Sequence, residues 1–493
     1  MRPLFVFLLF GLVLSILFSS GQIENPDTHL RLTQTRIILD DNQFGLPDDV
    51  GEDSHGNISI NKDGQRFMVY NPGQTIIFIP IYYIANLVST DEVNAYYFSA
   101  FCVSFVNYMV HALCSFILFK IALLLGALRK QAYLVSIFFG LTSYSFVFAQ
   151  STYEHHFEMF FILLSIYFAL KRDINHRGLL SGLMLSIGLV FRTTTILAVP
   201  AILFLQNNNK ERIKAIISLT IGIAFVFLYN FYRFGNPLET GYSLAWSLAH
   251  SEKFDFWSFS GFPKAFFGFL FSPGKGIIFF STTIIIALFR IKIFWNMQRL
   301  MFFSVLLISA TYLVFFSFNF AWHGSIWSYG PRYILPIIPF IYLPIIYLEP
   351  KKWVFVCLLL GFIFQVVLIS VNYKRDVLND YITYNGLSDM EYINSIKKEP
   401  HFSQIKQLAI ILPKNCGKLN NYMPYSPWKK EIRTASNVDV LNLSIEKNSI
   451  NFWWIRVFHF TTSKLSRFFS LLVLVFGLIG AFILFLYVKR EFI

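Results

Sequence analysis

Directly behind a first apolar run, residues 24–31 read E-N-P-D-T-H-L-R, so two acids, a histidine and an arginine fall within one short stretch. Asp27 and Glu24 are of a type that activates a hydroxyl or amine as general base. Farther along stand a third acid, Glu154, with His155 and His156 beside it, and the cations Arg192, Arg233, Lys275 and Arg332. His323 lies between Trp322 and Gly324, and Tyr70, Tyr242 and Trp327 complete the set. Nearly all of them sit within a few residues of the end of an apolar segment. Cations collected there suit a phosphate or diphosphate, whose developing charge they stabilise. Lys275, in F-S-P-G-K-G, has glycines on both sides that let backbone come close to a ligand.

Each residue also has a plainer reading. Lys and Arg at helix ends commonly snorkel to the headgroups. Tyr70, Trp322, Trp327 and His323 fit an aromatic belt as well as they fit substrate contact. His155 and His156 point about 100° apart on a helix and so do not chelate one metal as an i, i+4 pair would. Glu154 suits acceptor binding or the positive end of a helix. No metal ligands are assigned, no cofactor is certain, and a divalent cation is left open.

The elements that position these residues follow from composition. The chain is 55% hydrophobic and 19% aromatic, with only 14% charged residues spread over 493 positions. That excludes an ordinary soluble domain and fits a polytopic membrane protein. The net charge of +13 then reads as basic connectors and contact with anionic headgroups, not as a nucleic-acid surface. Cys102, Cys114 and Cys357 lie in apolar segments and Cys416 in a polar loop, which is neither a disulfide framework nor a metal spacing.

Apolar spans start near Ala95, Gln131, Glu154, Gly178, Thr193, Arg212, Gly276, Leu300, Tyr333, Trp353 and Leu465, after a first run from Leu4 to Ser20. That first run is either an uncleaved helix or a signal sequence. The connectors at 129–130, 171–177, 210–214, 290–299, 351–352 and 489–490 are basic, which predicts cytoplasmic loops and two cytoplasmic chain ends. The segment 74–88, interrupted by Pro80, is too short for a span and reads as an interfacial or re-entrant helix. The run around Arg192 is too long and too charged for one helix, so two short helices should meet at that residue. The fold class is thus an all-α polytopic membrane protein with about twelve transmembrane helices. Its parts are a region 1–371 with a first outer loop at 21–72 bearing juxtamembrane helices, a smaller extracytoplasmic region 372–463 and a final helix and tail at 464–493. Residues 21–72 carry nine acids against four bases. The sequons at Asn57 and Asn442 lie on the same outer side.

Seven stretches carry a resemblance: NPDTHLRLTQTRIILDD, YNPGQTIIFIPIYYIANL, STYEHHFEMFFILLSIYFALKRD, GLMLSIGLVFRTTTILAVP, NFYRFGNPLETGY, FLFSPGKGIIFFS and AWHGSIWSYGPRYILPIIPF. In this order, over residues 1–370, they resemble the GT-C membrane glycosyltransferases, in particular the bacterial branch related to protein mannosyltransferases and aminoarabinose transferases. The resemblance implies a base on the first outer loop, a polyprenyl-phosphate-linked sugar as donor, an envelope acceptor and inversion at the anomeric carbon. The base falls on Asp27. Many relatives carry two adjacent acids there, whereas Thr28 follows Asp27 here and Glu24 is the rival. The resemblance also implies an acid near Glu154 that faces the site, and Arg31, at i+4 from Asp27, is placed to orient its carboxylate. Donor phosphate falls to Lys275, Arg332 and Arg192, and substrate or acceptor contact to Glu154, His155, Tyr70, His323 and Trp322.

Two other functions fit the same pattern. A transporter or lipid or glycan flippase would show paired repeats and charges at the bilayer midplane. A polysaccharide polymerase or ligase would consume a diphosphate-linked glycan.

Overall fold

The computed structural model describes residues 3–48, 50, 57–206, 208–249, 257, 259–319, 321–324, 330–372, 404–405, 408–409, 450–460 and 463–492. Trp327, Cys416, the sequon at Asn442 and most of the region 372–463 lie outside them.

The described chain is overwhelmingly helical. Helix α1 (Pro3–Phe18) leads into α2 (Pro26–Asp40), a small antiparallel hairpin of β1 (Ile58–Ile60) and β2 (Arg66–Met68), and then α3 (Gly73–Val88). Next come α4 (Glu92–Leu124), α5 (Arg129–Thr142), α6 (Tyr144–Gln150), α7 (His155–Leu170) and α8 (Arg177–Phe191). A 3-10 turn at Thr193–Ala198 precedes α9 (Val199–Leu205), α10 (Asn209–Phe234), α11 (Tyr242–Ala249) and α12 (Phe262–Phe271). After the short α13 (Ile277–Phe280), α14 (Ile284–Leu288) and α15 (Ile291–Met297) follow α16 (Arg299–Ser317), a 3-10 turn at Arg332–Ile337, α17 (Ile338–Ile341) and α18 (Lys352–Ile369). Helices α19 (Trp453–Phe460) and α20 (Lys464–Phe492) close the chain.

Each of the start points read from the apolar pattern lies within three residues of a helix or 3-10 start. The number of spans is another matter. Helices α4, α10, α16, α18 and α20 are long and apolar enough to cross a membrane, and α5 with α6, bent by 52°, makes a sixth if the pair is one span. The other apolar helices run 10–17 residues, so among the described residues five or six helices are long and apolar enough to span, against the twelve that the sequence suggests.

Breaks in the apolar runs have local causes. At Arg192 the backbone turns extended (φ −147°), so α8 stops and the expected pair of short helices meets there. Pro336, Pro339 and Pro344 cut the run 332–347 into two 3-10 turns around α17, because each removes an amide donor. At the α5–α6 bend, Ser281 Oγ accepts from the freed Tyr144 amide at 2.9 Å and Gln365 Nε2 donates to Thr142 O at 3.1 Å. Such replacement partners are what allow a broken helix in an apolar surrounding.

Helices α8 and α10 lie against each other through small residues. Gly182 faces the Ala215 carbonyl so closely that an added Cβ would come within 2.1 Å of it, and Gly222 meets the Ser186 backbone in the same way. Ser186 Oγ donates to Ser218 O at 2.6 Å and accepts from the Gly222 amide at 3.2 Å. Close backbone approach plus interhelical hydrogen bonds is how helices associate where no hydrophobic drive remains.

The two ends of the helices differ in character. At one end three of the basic connectors meet: Arg129 pairs with Glu491 at 3.0 Å and donates to Tyr487 Oη at 2.7 Å, and Gln298 donates to Leu125 O at 2.8 Å. At the other end α1 runs out, and its last carbonyls find partners far along the sequence. Trp453 Nε1 donates to Ile16 O (2.7 Å), Trp454 Nε1 to Leu17 O (3.1 Å), Gln150 Nε2 to Phe18 O (2.8 Å) and the Trp453 amide to Ser19 O (2.9 Å). Asn451 N donates to Ser370 O at 2.8 Å, so the chain that leaves α18 returns to the same place.

We expect Gly182→Val to force α8 from α10 and cost about 1–3 kcal/mol, the range for overpacking a tight contact. A lowered melting temperature of the purified protein, with Gly64→Val at an open turn position as control, checks it; Gly64 has φ +81° and no neighbour within 4 Å, so its variant bears only on the turn.

Candidate functional site

Asn25 starts α2 as its N-cap, accepting from the Thr28 amide at 2.8 Å, and Pro26 holds the first-turn φ. Asp27 therefore stands in the first turn of a helix, where the backbone dipole favours a negative charge. Its Oδ2 lies 3.9 Å from Arg332 Nη1, too far for a hydrogen bond and near enough for attraction. Tyr70 lies near the Asp27 carboxylate; burial, then the Asp27 charge, push its phenol above the ordinary range. Tyr70 thus keeps its proton.

Arg332 opens the 3-10 turn after the Gly330-Pro331 corner. Its guanidinium lies 4.9 Å from the ring centres of both Tyr153 and Tyr333 and donates to Tyr333 Oη at 3.1 Å. The side chain rests on Gly324, which has φ +69° and would place an added Cβ 2.8 Å from Arg332 Cγ. Arg332 Nε is buried without a hydrogen-bond partner among the described residues.

Behind Asp27 lies a buried chain of charges. Glu154 caps α7 and is held on one side by Arg31 Nη2 at 2.9 Å and on the other by Arg192 Nη1 at 2.6 Å. Arg192 also reaches Glu158 Oε2 through Nε at 3.0 Å, Thr194 Oγ1 at 3.1 Å and His155 Nε2 at 2.9 Å. Glu158 Oε1 accepts in addition from Thr194 Oγ1 at 2.6 Å and Tyr312 Oη at 2.8 Å. Arg31 stacks on Tyr70 at 4.0 Å. Because Arg31 bonds to Glu154, the expectation that it orients Asp27 is replaced: the cation next to Asp27 is Arg332, while Arg31 serves the neighbouring acid. The i+4 spacing put Arg31 on the right face of α2, but a bare guanidinium there finds the better-buried carboxylate.

Lys275 is buried in the turn Ser272–Gly276, and its charge and that of Arg332 both bear on His323. Burial first, then these two cations, hold His323 down to about 3, so it stays neutral. Its Nδ1 has no hydrogen-bond partner among the described residues. Trp322 packs over Gly268 and edge-on to Phe269 at 5.2 Å, buried in the core.

The remaining sequence candidates separate. Glu24 is buried and accepts from Asn451 Nδ2 at 2.6 Å, facing the chain that returns from the region 372–463, whereas Asp27 faces Arg332. Glu154 and His155 join the charge chain, while His156 turns away and meets Ser145 O at 3.0 Å. Arg233 donates to Met68 O at 2.6 Å and to Asn230 Oδ1 at 2.8 Å, which ties α10 to the hairpin below Tyr70.

A divalent cation does not fit these groups. No three His, Cys, Asp or Glu side chains come together for one among the described residues, and Asp27, Glu154 and Glu158 already face arginines.

Glu158, Thr194, Tyr312, Tyr153 and Tyr333 were not among the sequence candidates. Glu158 carried a readable signal, since it follows Glu154 by four residues and shares its helix face. The tyrosines carried none, in a chain with twenty-five of them. The chain matches no protein-family model, no curated protein and no solved structure.

Removing one member of a buried ion chain leaves the others uncompensated, so Glu158→Ala is expected to cost about 3–5 kcal/mol, read as a drop in melting temperature that Glu158→Gln partly restores. His323 gives a pH signature. Its folded-state value lies below the free imidazole's, so the unfolded chain binds the extra proton and stability falls as pH drops from about 6.5 toward 3. Melting temperatures of His323→Gln between pH 7 and 5 should fall less than those of the unaltered protein.

Proposed function

We propose that the chain is a membrane glycosyltransferase of GT-C type that moves a sugar from a polyprenyl-phosphate donor to an envelope lipid, glycan or protein, with inversion. The observation that carries this reading is Asp27, poised in a helix first turn with the protonated Tyr70 near it and Arg332 at 3.9 Å. In this reading Asp27 takes the proton from the acceptor hydroxyl or amine. The acceptor atom bonds to the anomeric carbon from the face opposite the phosphate, the bond from that carbon to phosphate oxygen breaks, and polyprenyl phosphate leaves with the electron pair. A phosphate leaving group needs cations more than it needs a proton.

Lys275 and Arg332 are assigned that role. Arg332 Nε and His323 Nδ1, buried and without a hydrogen-bond partner among the described residues, supply positions that a phosphate oxygen or its hydroxyl would meet. Arg192 reaches the same cluster, but Glu154, Glu158, Thr194 and His155 occupy its guanidinium, so it is assigned to holding the site together.

The same reading gives the finer architecture. The end of the molecule with Arg129, Arg290, Lys351 and Lys489 faces the cytoplasm with both chain ends, and the site faces the extracytoplasmic side of the cell membrane. The shorter apolar helices complete about twelve crossings, with α3 lying in the interface.

Transfer from a polyprenyl-phosphate sugar by the purified protein in lipid nanodiscs is the test. Asp27→Asn should lower turnover by about 10²–10⁴-fold, the usual contribution of a general base, and Glu24→Gln should retain most of it. Full activity of Asp27→Asn would falsify the base assignment. Consumption of a diphosphate-linked glycan, or transport without a covalent product, would replace the transferase reading.

A further inference from the structure

Thr152 is left-handed. Its φ is +60°, whereas the other described non-glycine residues with positive φ are Asn42 and His176, types that tolerate it. A β-branched residue at this angle is strained and persists only where its surroundings hold it. Three residues do so. Asn25 Nδ2 donates to Thr152 Oγ1 at 3.0 Å and also to Ser151 O. Thr28 Oγ1 donates to Thr152 O at 3.0 Å, and Gln74 Nε2 donates to the same carbonyl at 2.8 Å.

Asn25 and Thr28 flank Asp27, and Tyr153 and Glu154 follow Thr152 directly. The clamp thus fixes the turn that carries Asp27 onto the turn whose Tyr153 ring faces Arg332 and whose Glu154 binds Arg31 and Arg192. Asn107 Nδ2, donating to Tyr153 O at 2.8 Å, holds the far side of that turn. We infer that Thr152 is a positioning residue: its hydroxyl and left-handed carbonyl set Asp27 at its working separation from Arg332, without touching substrate. The kinetic part of this inference rests on the transferase reading; the structural part does not.

The experiment uses the full chain in nanodiscs. Thr152→Val keeps the branched shape and removes the acceptor, Thr152→Ser keeps the acceptor, and Asn25→Asp keeps the helix cap while removing both donors. Amide hydrogen exchange at 27–31 and 152–156 should quicken by about tenfold in Thr152→Val and Asn25→Asp and not in Thr152→Ser. Transfer from the polyprenyl-phosphate sugar should show kcat lowered by about 10–100-fold in the first two, with KM little changed and Thr152→Ser near the unaltered protein. The double variant should lose no more than either single one, the mark of one shared interaction. Unchanged exchange, or a kcat that falls only as the folded fraction falls, overturns the positioning role. Quickened exchange in a protein that transfers no such sugar supports the clamp and overturns the transferase reading alone.

Discussion

Glu154 between Arg31 and Arg192 is the interaction on which the arrangement depends. A carboxylate with almost no contact to solvent cannot be left with one partner, because the uncompensated charge would cost several kcal/mol. Its two guanidiniums come from different parts of the chain, one from α2 and one from the break after α8. Arg192 is in turn shared with Glu158 of α7, and Glu158 with Tyr312 of α16. Four segments are thereby referred to one carboxylate. Moving any of them means breaking a charge-assisted bond in a poorly screened place.

That requirement explains why the apolar runs are interrupted where they are. An unbroken helix through 178–205 would carry Arg192 at its centre; the extended residue at that point ends α8 early and turns the guanidinium toward Glu154. The prolines of 332–347 have a comparable effect, since the 3-10 turn that begins at Arg332 sets this cation against Tyr153 and Tyr333. Short helices are the cost of bringing side chains from helix ends to a common place.

The sequence revealed the helices and hid their connections. Starts such as Gly178 and Thr193 could be read because apolar runs, basic connectors and a costly arginine leave local marks. Asn25-Pro26-Asp27 has the form of a helix start, and it does put Asp27 in the first turn of α2. Arg31 was assigned to the wrong acid, because the choice between Asp27 and Glu154 is made across 123 residues of sequence and no spacing encodes it. Glu24 and Asp27 look interchangeable as letters three apart, yet one faces Asn451 and the other Arg332. Thr152 gave no sign at all: a positive φ at a threonine is imposed by Asn25, Thr28 and Gln74, not by the residue itself.

The carbonyls at the end of α1 have a consequence for how the protein is made. Ile16 and Leu17 receive their indole partners from Trp453 and Trp454, each 437 residues later. A chain is synthesised from its N-terminus, so the first helix to form waits for almost the whole remainder before its polar end is closed. Until then these oxygens need water or a substitute donor. Completion of α19 is therefore also completion of α1, and a chain truncated before Trp453 would carry its defect at the opposite end of its sequence.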